Sequence, residues 1–373
     1  YLDNNATTTL LPEVRAAMEP FLSDCYGNPS SPYAFARPAS RAVARARDQV
    51  AALVNTEPAR VVFTSGGTES NNLALHAALT ARPERRHLII TAVEHKSVLA
   101  PARLWAQRGV RVTILPVSSE GELDLAALER ALDEDTALVS IMSANNETGV
   151  CYPVAEWHDR IHRVGAWLHT DAVQVAGKQD IPSADFISLC AHKMHGPKGA
   201  GALVVPEALS AHPLLAGGEQ EFGWRGGTEN VAALAGFGAA AESASRDPFS
   251  AMSACQVMRD ALECAVREQI PDSHVVGASQ PRLPNTSLFQ FPGVTTEALL
   301  ALLDVAGFCC SSGSACAAGA HEVSHVLQAH GLSDRGATIR VSTSRFTTRR
   351  EMENLVAALV HGVHQLRRPA RDR

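Results

Sequence analysis

Residues 186–199 read Phe-Ile-Ser-Leu-Cys-Ala-His-Lys-Met-His-Gly-Pro-Lys-Gly. The apolar run at 186–189 has the length of a buried strand, and the glycines and proline that follow predict a loop. Lys193 is therefore expected just past the end of a core strand, where removal of water lowers the pKa of an amine and lets it form a Schiff base with an aldehyde. A solvated lysine beside a tight turn is the alternative, and this stretch alone favours that alternative.

Similar apolar runs alternate with helical patterns over the first 230 residues. Val43, Ala46, Val50 and Leu53 recur at spacings of three and four, which predicts an amphipathic helix. Strands alternating with helices predict an α/β fold, in which a mostly parallel central sheet has helices on both faces. The runs of strand length are residues 61–64, 88–91, 110–115, 137–142, 167–170, 186–189 and 202–205.

From about residue 230 the alternation stops, and a different pattern of short strands and helices begins. Strands are expected near 286–291 and 338–342, and Thr348-Arg-Arg-Glu351 is a capping-box signature for the last helix. We therefore expect two domains. The large one would span residues 11–250, and a smaller α+β domain would combine residues 1–10 with 251–373.

Composition excludes several classes of function. The chain has 373 residues, of which 46% are hydrophobic and 19% charged, as in ordinary globular proteins. Its net charge of −6 predicts neither a nucleic-acid nor a membrane partner. No apolar run approaches the roughly 18 residues of a membrane span, and the first residues lack the pattern of a signal peptide. Eight cysteines without a C-x-x-C pair argue against a structural zinc site, and a disulfide framework is not expected in so large a chain, so we expect a reduced, cytoplasmic protein.

Polar residues follow the predicted strands, at the edge where open parallel sheets bind ligands. After 61–64 comes a glycine turn, Ser65-Gly66-Gly67-Thr68, whose backbone N–H groups and hydroxyl suit a phosphate. Each of the other residues has an ordinary alternative, such as a core histidine, a turn asparagine or an N-cap aspartate. Together they place a ring, amides, a carboxylate and an amine on one edge: His95, Asn146, Asp171, Gln174, His192 and Lys193.

Such a set matches the needs of a pyridoxal phosphate site. A lysine holds the aldehyde, and a carboxylate beside the pyridine nitrogen keeps that nitrogen protonated, so that the ring withdraws electrons. A flat side chain stacks on the ring, and a glycine turn binds the phosphate. The edge of the predicted sheet supplies every one of these groups.

Ten motifs, in this order, make the sequence resemble the cysteine desulfurases, which share the fold of class V aminotransferases. They span nearly the whole chain: Asp3-Asn-Asn-Ala-Thr-Thr8, Gly27-Asn-Pro-Ser-Ser31, Phe63-Thr-Ser-Gly-Gly-Thr-Glu-Ser70, Glu94-His-Lys96, Ala144-Asn-Asn-Glu-Thr-Gly149, His169-Thr-Asp-Ala-Val-Gln174, Ala191-His-Lys193, Arg225-Gly-Gly-Thr-Glu-Asn230, Ser311-Ser-Gly-Ser-Ala-Cys316 and Ile339-Arg-Val-Ser342. Several of them are most similar to the nitrogenase-associated branch.

The resemblance implies fold type I of the pyridoxal phosphate enzymes and a role for each site residue. Lys193 would bind the cofactor and move protons, and His95 would stack on the ring. Arg340 would clamp the substrate carboxylate, and Thr228 would reach the phosphate of a neighbouring subunit, which makes a homodimer. The remaining cofactor contacts would come from Gly67, Thr68, Asn146, Asp171, Gln174, Cys190 and His192, with Asn146 near the substrate as well and Cys190 standing where the family usually has serine.

Cys316 would be the nucleophile, in a run of small residues. A thiolate must attack the sulfur of bound cysteine and then carry it to another protein, which suits an exposed loop. The implied reaction converts L-cysteine to L-alanine and supplies sulfur to an iron–sulfur scaffold or another acceptor. No metal site is expected, apart from transient ligation of an iron–sulfur cluster by Cys316 with a partner.

Other hypotheses remain at this point. An aminotransferase or a selenocysteine lyase would keep the fold and the cofactor. A metal-binding scaffold would instead use His192-x-x-His195 and Cys309-Cys310, although that histidine spacing on a loop does not place both rings on one face.

Overall fold

Two β-sheets form the framework of the structure, a computed structural model that describes residues 1–246, 248–313, 324–332 and 336–368. The larger sheet consists of β1 (Val61–Thr64), β2 (His87–Thr91), β3 (Arg111–Leu115), β4 (Thr136–Ser140), β5 (Trp167–Asp171), β6 (Phe186–Cys190) and β7 (Gly201–Val204). Their order in space is β1-β7-β6-β5-β4-β2-β3. Only β7 runs antiparallel to its neighbours in this sheet, which confirms the mostly parallel sheet.

Helices cover both faces of this sheet. Alternate residues of a strand point to opposite faces. Val61 and Phe63 accordingly pack in one core with α2 and α7, whereas Val62 packs in another with α3 and α4. The helices in chain order are α1 (Pro12–Met18), α2 (Arg37–Leu53), α3 (Gly67–Ala81), α4 (Lys96–Gln107), α5 (Leu125–Ala131), α6 (His158–Arg163), α7 (Val231–Arg246), α8 (Pro248–Gln269), α9 (Thr296–Val305), α10 (His325–Ala329) and α11 (Arg349–Arg367).

Helix α2 is amphipathic, as its sequence predicts. Val43, Ala46 and Val50 are buried in the core that it shares with α7. The two helices approach closely at Gly238 of α7, where an added Cβ would lie 2.6 Å from the Cα of Ala46. Glycine is therefore required at this crossing, because any side chain would force the helices apart.

The smaller sheet lies in the C-terminal part of the chain. It consists of β8 (His274–Val275), β9 (Thr286–Phe291) and β10 (Ala337–Ser342), all antiparallel and in the order β10-β9-β8. Its own core includes Phe289, Leu299 and Leu355, and Leu2 packs there too. The capping box of Thr348 and Glu351 is present at the start of α11. Because Leu2 joins this core, we propose the division into residues 11–250 and into 1–10 with 251–373.

The cysteines and the helices of the described residues bear on the expectation of a reduced protein without a membrane span. The seven cysteines within those residues are free thiols. None of the described helices is both long and apolar enough to cross a membrane.

Glu94 is a buried carboxyl group that joins the ends of two neighbouring strands. It lies in the loop after β2, and its Oε1 accepts hydrogen bonds from the Thr91 hydroxyl (2.9 Å) and from the backbone N–H of Met142 beyond β4 (2.8 Å). Burial raises its pKa to about 8. The folded protein therefore keeps this proton at neutral pH, whereas the unfolded chain loses it near the ordinary pKa of 4.5.

This difference predicts how Glu94→Gln changes the pH dependence of stability. Between pH 5 and 8 the folded state binds more protons than the unfolded state, so the Glu94 contribution to the free energy of unfolding falls as pH rises. Glutamine does not titrate. Stability of the variant relative to the parent should therefore rise by about 1.4 kcal/mol per pH unit in that window. Urea unfolding at several pH values measures this slope, and the exposed Glu353→Gln on α11 is the control. If the free energy of unfolding had the same pH dependence in Glu94→Gln and in the parent, the raised pKa of Glu94 would be contradicted.

Candidate active site

A pocket of about 290 Å³ opens where β1, β2, β4, β5 and β6 end. These strands run in the same direction, so the residues that follow them emerge at the same edge of the sheet. The N-terminal residues Asn5 and Ala6, His325 of α10 and Arg340 of β10 also line the pocket. Most of the predicted site residues line it, namely Gly67, Thr68, His95, Asn146, Asp171, Gln174, Cys190, His192, Lys193 and Arg340.

Lys193 ends a short 3₁₀ turn, Ala191–Lys193, that follows β6 directly. Its Nζ donates hydrogen bonds to the main-chain oxygens of Asn5 and Ala6, each 2.6 Å away. Burial lowers the pKa of this amine, and the positive charge of Arg340 lowers it further. A lowered pKa increases the fraction of neutral amine, which is the form that attacks an aldehyde.

Asp171 is the last residue of β5, and donors hold both oxygens of its carboxyl group. Oδ1 accepts from the backbone N–H of Val173 at 3.0 Å, and Oδ2 accepts from Nδ2 of Asn71 at 2.7 Å. Asn71 also donates to the Ser97 hydroxyl at 2.8 Å. The carboxyl group is therefore fixed in place at the bottom of the pocket.

His95 is the N-cap of α4. Its Nδ1 accepts from the backbone N–H of Ser97 at 3.2 Å. Burial lowers the pKa of the ring, and the nearby charges of Lys193 and Lys96 act in the same direction, so the imidazole is mostly neutral at pH 7. A neutral ring whose Nδ1 accepts carries its proton on Nε2. The side chain can thus donate a hydrogen bond from Nε2 while its flat face lines the pocket.

The start of α3 forms an anion-binding end of the pocket. Gly66 and Gly67 lead into the helix, whose first N–H groups have no partner within the helix. An added Cβ at Gly67 would lie 2.8 Å from Cγ2 of Val173, so the narrow space there exists only because the residue is glycine. The hydroxyl-bearing Thr68 is exposed in the first turn. This end of the pocket suits a phosphate.

Two further residues at that end are uncharged. Burial lowers the pKa of His192 to about 4, and Lys193 lowers it further. Burial also raises the pKa of Cys190 to about 11, so its side chain is a thiol and not a thiolate at neutral pH. Neither side chain therefore adds a charge to the pocket.

Arg340 lies on β10 with its guanidinium group 1% exposed. Nη1 donates to the main-chain oxygens of Asn146 (2.8 Å) and Gly313 (2.7 Å), and Nη2 contacts Oδ1 of Asp3 at 2.6 Å. Its Nε has no partner within the described part of the chain. Arg340 is thus at the pocket, but two of its three nitrogens already bind protein oxygens. Its role as the substrate clamp stays a prediction.

Thr228 and Cys316 are the two remaining predicted site residues. Thr228 is exposed in the loop before α7 and does not line the cavity, and Cys316 lies outside the described residues. The residues that flank its segment do reach the site. The oxygen of Gly313 binds Arg340, Ser324 donates to Glu147 at 2.7 Å, and His325 lines the pocket.

Sequence reasoning missed Asn71 and the carbonyl groups that bind Lys193. Asn71 carries a signal in retrospect, because it is a polar residue on an otherwise apolar helix face with Ala74, Leu75 and Ala78. Main-chain oxygens of Asn5 and Ala6 carry no such signal, since every residue has one.

The metal-binding hypothesis gains no support from the geometry. His192 contacts the Thr7 hydroxyl at 3.2 Å and His195 contacts the main-chain oxygen of Thr9 at 2.9 Å, so the two rings are used separately. Of the described residues, only His158, His162 and Asp185 are grouped as metal ligands are. Asp185 already accepts hydrogen bonds there from His162 and from the Leu168 backbone, both at 2.8 Å.

Comparison with known proteins gives consistent results. A model of the family described as "Aminotransferase class-V" matches residues 1–355. A cysteine desulfurase of Nostoc sp. is 45% identical and covers 98% of this chain and 93% of its own length. The cysteine desulfurase NifS of Azotobacter vinelandii is 42% identical with the same coverage. A solved structure of a NifS-like protein superposes with a TM-score of 0.91 at 33% identity, over 98% of this chain and 99% of that one.

Asn71 provides a test of the site that does not involve the predicted catalytic groups. Asn71→Ala removes the donor to Asp171, and a hydrogen bond to a charged group contributes about 1.5–3 kcal/mol. Binding of the expected cofactor, pyridoxal phosphate, should therefore weaken by at least about tenfold. Titration of cofactor-free protein, followed by visible absorbance, measures the affinity. The control is Asn72→Ala, because the Asn72 side chain donates to the Thr68 carbonyl within α3. Equal affinities of the two variants would show that Asp171 does not need Asn71.

Proposed function

We propose that this chain, which belongs to the aminotransferase class-V family and within it to the cysteine desulfurases, releases sulfur from L-cysteine in the pocket around Lys193. The products would be L-alanine and a persulfide on Cys316. In this reaction the thiol of Cys316 accepts the sulfur atom, and the β-carbon of the substrate gains a proton in its place. The convergence of Lys193, Asp171 and His95 on one pocket is the observation that carries the proposal.

The residues present fit pyridoxal phosphate. Lys193 would hold its aldehyde carbon, and the carboxyl group of Asp171, fixed by Asn71, would contact the ring nitrogen. Gly67 and Thr68 at the start of α3 would bind the phosphate, with His192 and Cys190 beside it, and Gln174 and Asn146 would reach the phenolic oxygen. When bound, this cofactor withdraws electrons from the substrate, which weakens the bond to the α-proton and then the bond between Cβ and sulfur.

Within this arrangement the chain's own residues move the protons. Lys193, whose pKa burial lowers, is suited to take the proton from the α-carbon of cysteine once its Nζ is free. His95 has its Nδ1 held by Ser97, so its Nε2 is the atom that can give a proton or take one up. Burial lowers the pKa of both groups, which favours the neutral form of each.

The substrate carboxylate would bind beside Arg340. A guanidinium group matches a carboxylate with two parallel hydrogen bonds, which an amine does not do. The free Nε of Arg340 is a donor that still lacks a partner among the described residues. The contact between Nη2 of Arg340 and Asp3 would have to open so that Nη2 could serve as the second donor.

Cys316 is distinguished from the two cysteines that precede it. Burial raises the pKa of Cys310 to about 12, which keeps that thiol unreactive. Cys309 is exposed, but its main-chain oxygen accepts from the N–H of Leu2, which ties it to the small sheet. The described residues on either side of the segment with Cys316 are Gly313, which binds Arg340, and Ser324, which binds Glu147, and both of these partners line the pocket. This connection supports Cys316 as the thiol that meets the substrate.

The partners follow from the same proposal. A homodimer would bring Thr228 of one subunit to the phosphate of the other, which agrees with the exposure of Thr228 in a single chain. A sulfur acceptor, such as an iron–sulfur scaffold protein, would take the persulfide sulfur from Cys316. The cytoplasmic location stays a prediction from cysteine usage.

The identity of the nucleophile is tested by replacing cysteines singly. Cys316→Ala should bind the cofactor and cysteine but form alanine about 10³-fold more slowly, because no thiol receives the sulfur. Cys309→Ala, the control with an exposed thiol, should keep most of the activity. Mass spectrometry of the alkylated persulfide after one turnover locates the sulfur. Sulfur on Cys309, or rapid alanine formation by Cys316→Ala, would refute the assignment.

The composite site is tested by mixing inactive subunits. Lys193→Ala removes the amine and Thr228→Ala removes the proposed phosphate contact, so a heterodimer of the two would contain one intact site. Activity of the mixture should exceed that of either parent protein. Subunit exchange is verified with differently tagged chains. A mixture that exchanges subunits without regaining activity would place Thr228 outside the neighbouring site.

A further inference from the structure

Lys178 is a buried lysine for which the proposed mechanism has no use. It ends the turn after β5 and is only 6% exposed. Its Nζ donates two hydrogen bonds, each of 3.0 Å, to the main-chain oxygen and to Oε1 of Gln174. It forms no salt bridge within the described residues. Burying an amine without a carboxylate partner is unfavourable, so its contacts with Gln174 need an explanation.

The contact decides which way the side-chain amide of Gln174 points. An amide has a carbonyl end that accepts and an NH₂ end that donates, and the two have nearly the same shape. Lys178 presents N–H groups to Gln174, so the carbonyl end must face Lys178. The nitrogen, Nε2, then lies on the other side, where it donates to the main-chain oxygen of Asn5 at 3.1 Å. Its second N–H is left to donate to a ligand in the pocket, which Gln174 lines.

We propose that Lys178 is a positioning residue for the reaction, which holds the Gln174 amide so that its nitrogen donates to an anionic oxygen of the bound cofactor. The inference rests on the proposed function, because Gln174 would reach the phenolic oxygen of pyridoxal phosphate there. Lys178 itself does not line the main pocket.

The same contacts connect Lys178 with Lys193. Asn5 accepts at its main-chain oxygen from both Gln174 and Lys193, so the four residues form one chain of hydrogen bonds. Both lysines also line a second, small cavity. Burial lowers the pKa of Lys178 to about 7, and the charge of Lys193 lowers it further. A neutral amine still has two N–H groups, enough for both oxygens of Gln174, so the amide orientation does not depend on this proton.

Lys178→Met tests the proposal, since methionine fills a similar volume without donating hydrogen bonds. In the dimer loaded with pyridoxal phosphate, the visible absorption band should shift, because the phenolic oxygen loses an oriented donor. The kcat for alanine formation should fall by about tenfold, with little change in KM, as expected for loss of one hydrogen bond to a charged group. Gln174→Ala should show the same shift, and the double variant should be no worse than Gln174→Ala alone.

Two further variants complete the design. Lys178→Gln keeps an N–H donor and should recover part of the kcat; it also serves as the test if Lys178→Met does not fold. Gln179→Met is the matched control, because Gln179 is the next residue along and contacts Cys151, which does not line the main pocket. It should leave the absorption band and the kcat unchanged.

Two results would overturn the inference. One is an unchanged absorption band and kcat in Lys178→Met, and the other is a loss that adds fully to that of Gln174→Ala. The unmodified protein separates this failure from failure of the proposed function. If it forms alanine and persulfide while Lys178→Met does so equally well, only the role of Lys178 is wrong. If it forms neither, the desulfurase proposal fails, and the absorption bands still report the amide orientation.

Discussion

The arrangement of the pocket depends on a lysine held by the main chain of the N-terminal segment. Lys193 donates to the carbonyl groups of Asn5 and Ala6, and the same segment is fastened to the small sheet. Nδ2 of Asn4 donates to the Ser342 carbonyl, and Nδ2 of Asn5 donates to the Thr286 hydroxyl. A displacement of this segment would therefore move the amine and the small sheet together. The segment gives the reactive amine a fixed position relative to both sheets.

The electrostatics of the pocket follow from how few charges it leaves without a partner. Arg340 is almost fully buried, and its contact with Asp3 balances its charge where water does not. Burial keeps the two histidines and the thiol of Cys190 neutral. An anionic ligand that enters the pocket therefore meets the oriented N–H groups at the start of α3 together with Arg340, Lys96 and Lys193. Oriented donors of this kind stabilise a charge without having to reorganise during the reaction.

Much of the fold could be predicted from local pattern. The apolar runs at 61–64 and 286–291 are the strands β1 and β9, and the Thr348–Glu351 capping box begins α11. The direction of β7 could not be predicted, because a short apolar run looks the same in a parallel and an antiparallel strand. The indication of its direction comes instead from the loop between β6 and β7. It contains no crossover helix, and an antiparallel neighbour does not need one.

The site was predictable where a side chain with distinctive chemistry follows a strand. Asp171, His95 and Lys193 are in this group, and the structure brings them to one pocket. What remained hidden depends on tertiary contacts: the amide of Asn71 on Asp171, the carbonyl groups around Lys193, and the guanidinium of Arg340 that binds Asp3. The sequence separation between Asp3 and Arg340 is too large for any local pattern to indicate their contact. The reactive residues of the pocket are thus easier to predict from sequence than the groups that hold their side chains in place.

The contact between Asp3 and Arg340 has a consequence for biosynthesis. A ribosome releases the N-terminal half of the pocket long before it adds β10, so the nascent chain holds Lys193 and Asp171 without their covering sheet. During that interval β9 pairs only with β8, and its other edge, which β10 later covers, is a site where other chains can attach. Cofactor loading is therefore expected after translation has passed residue 342.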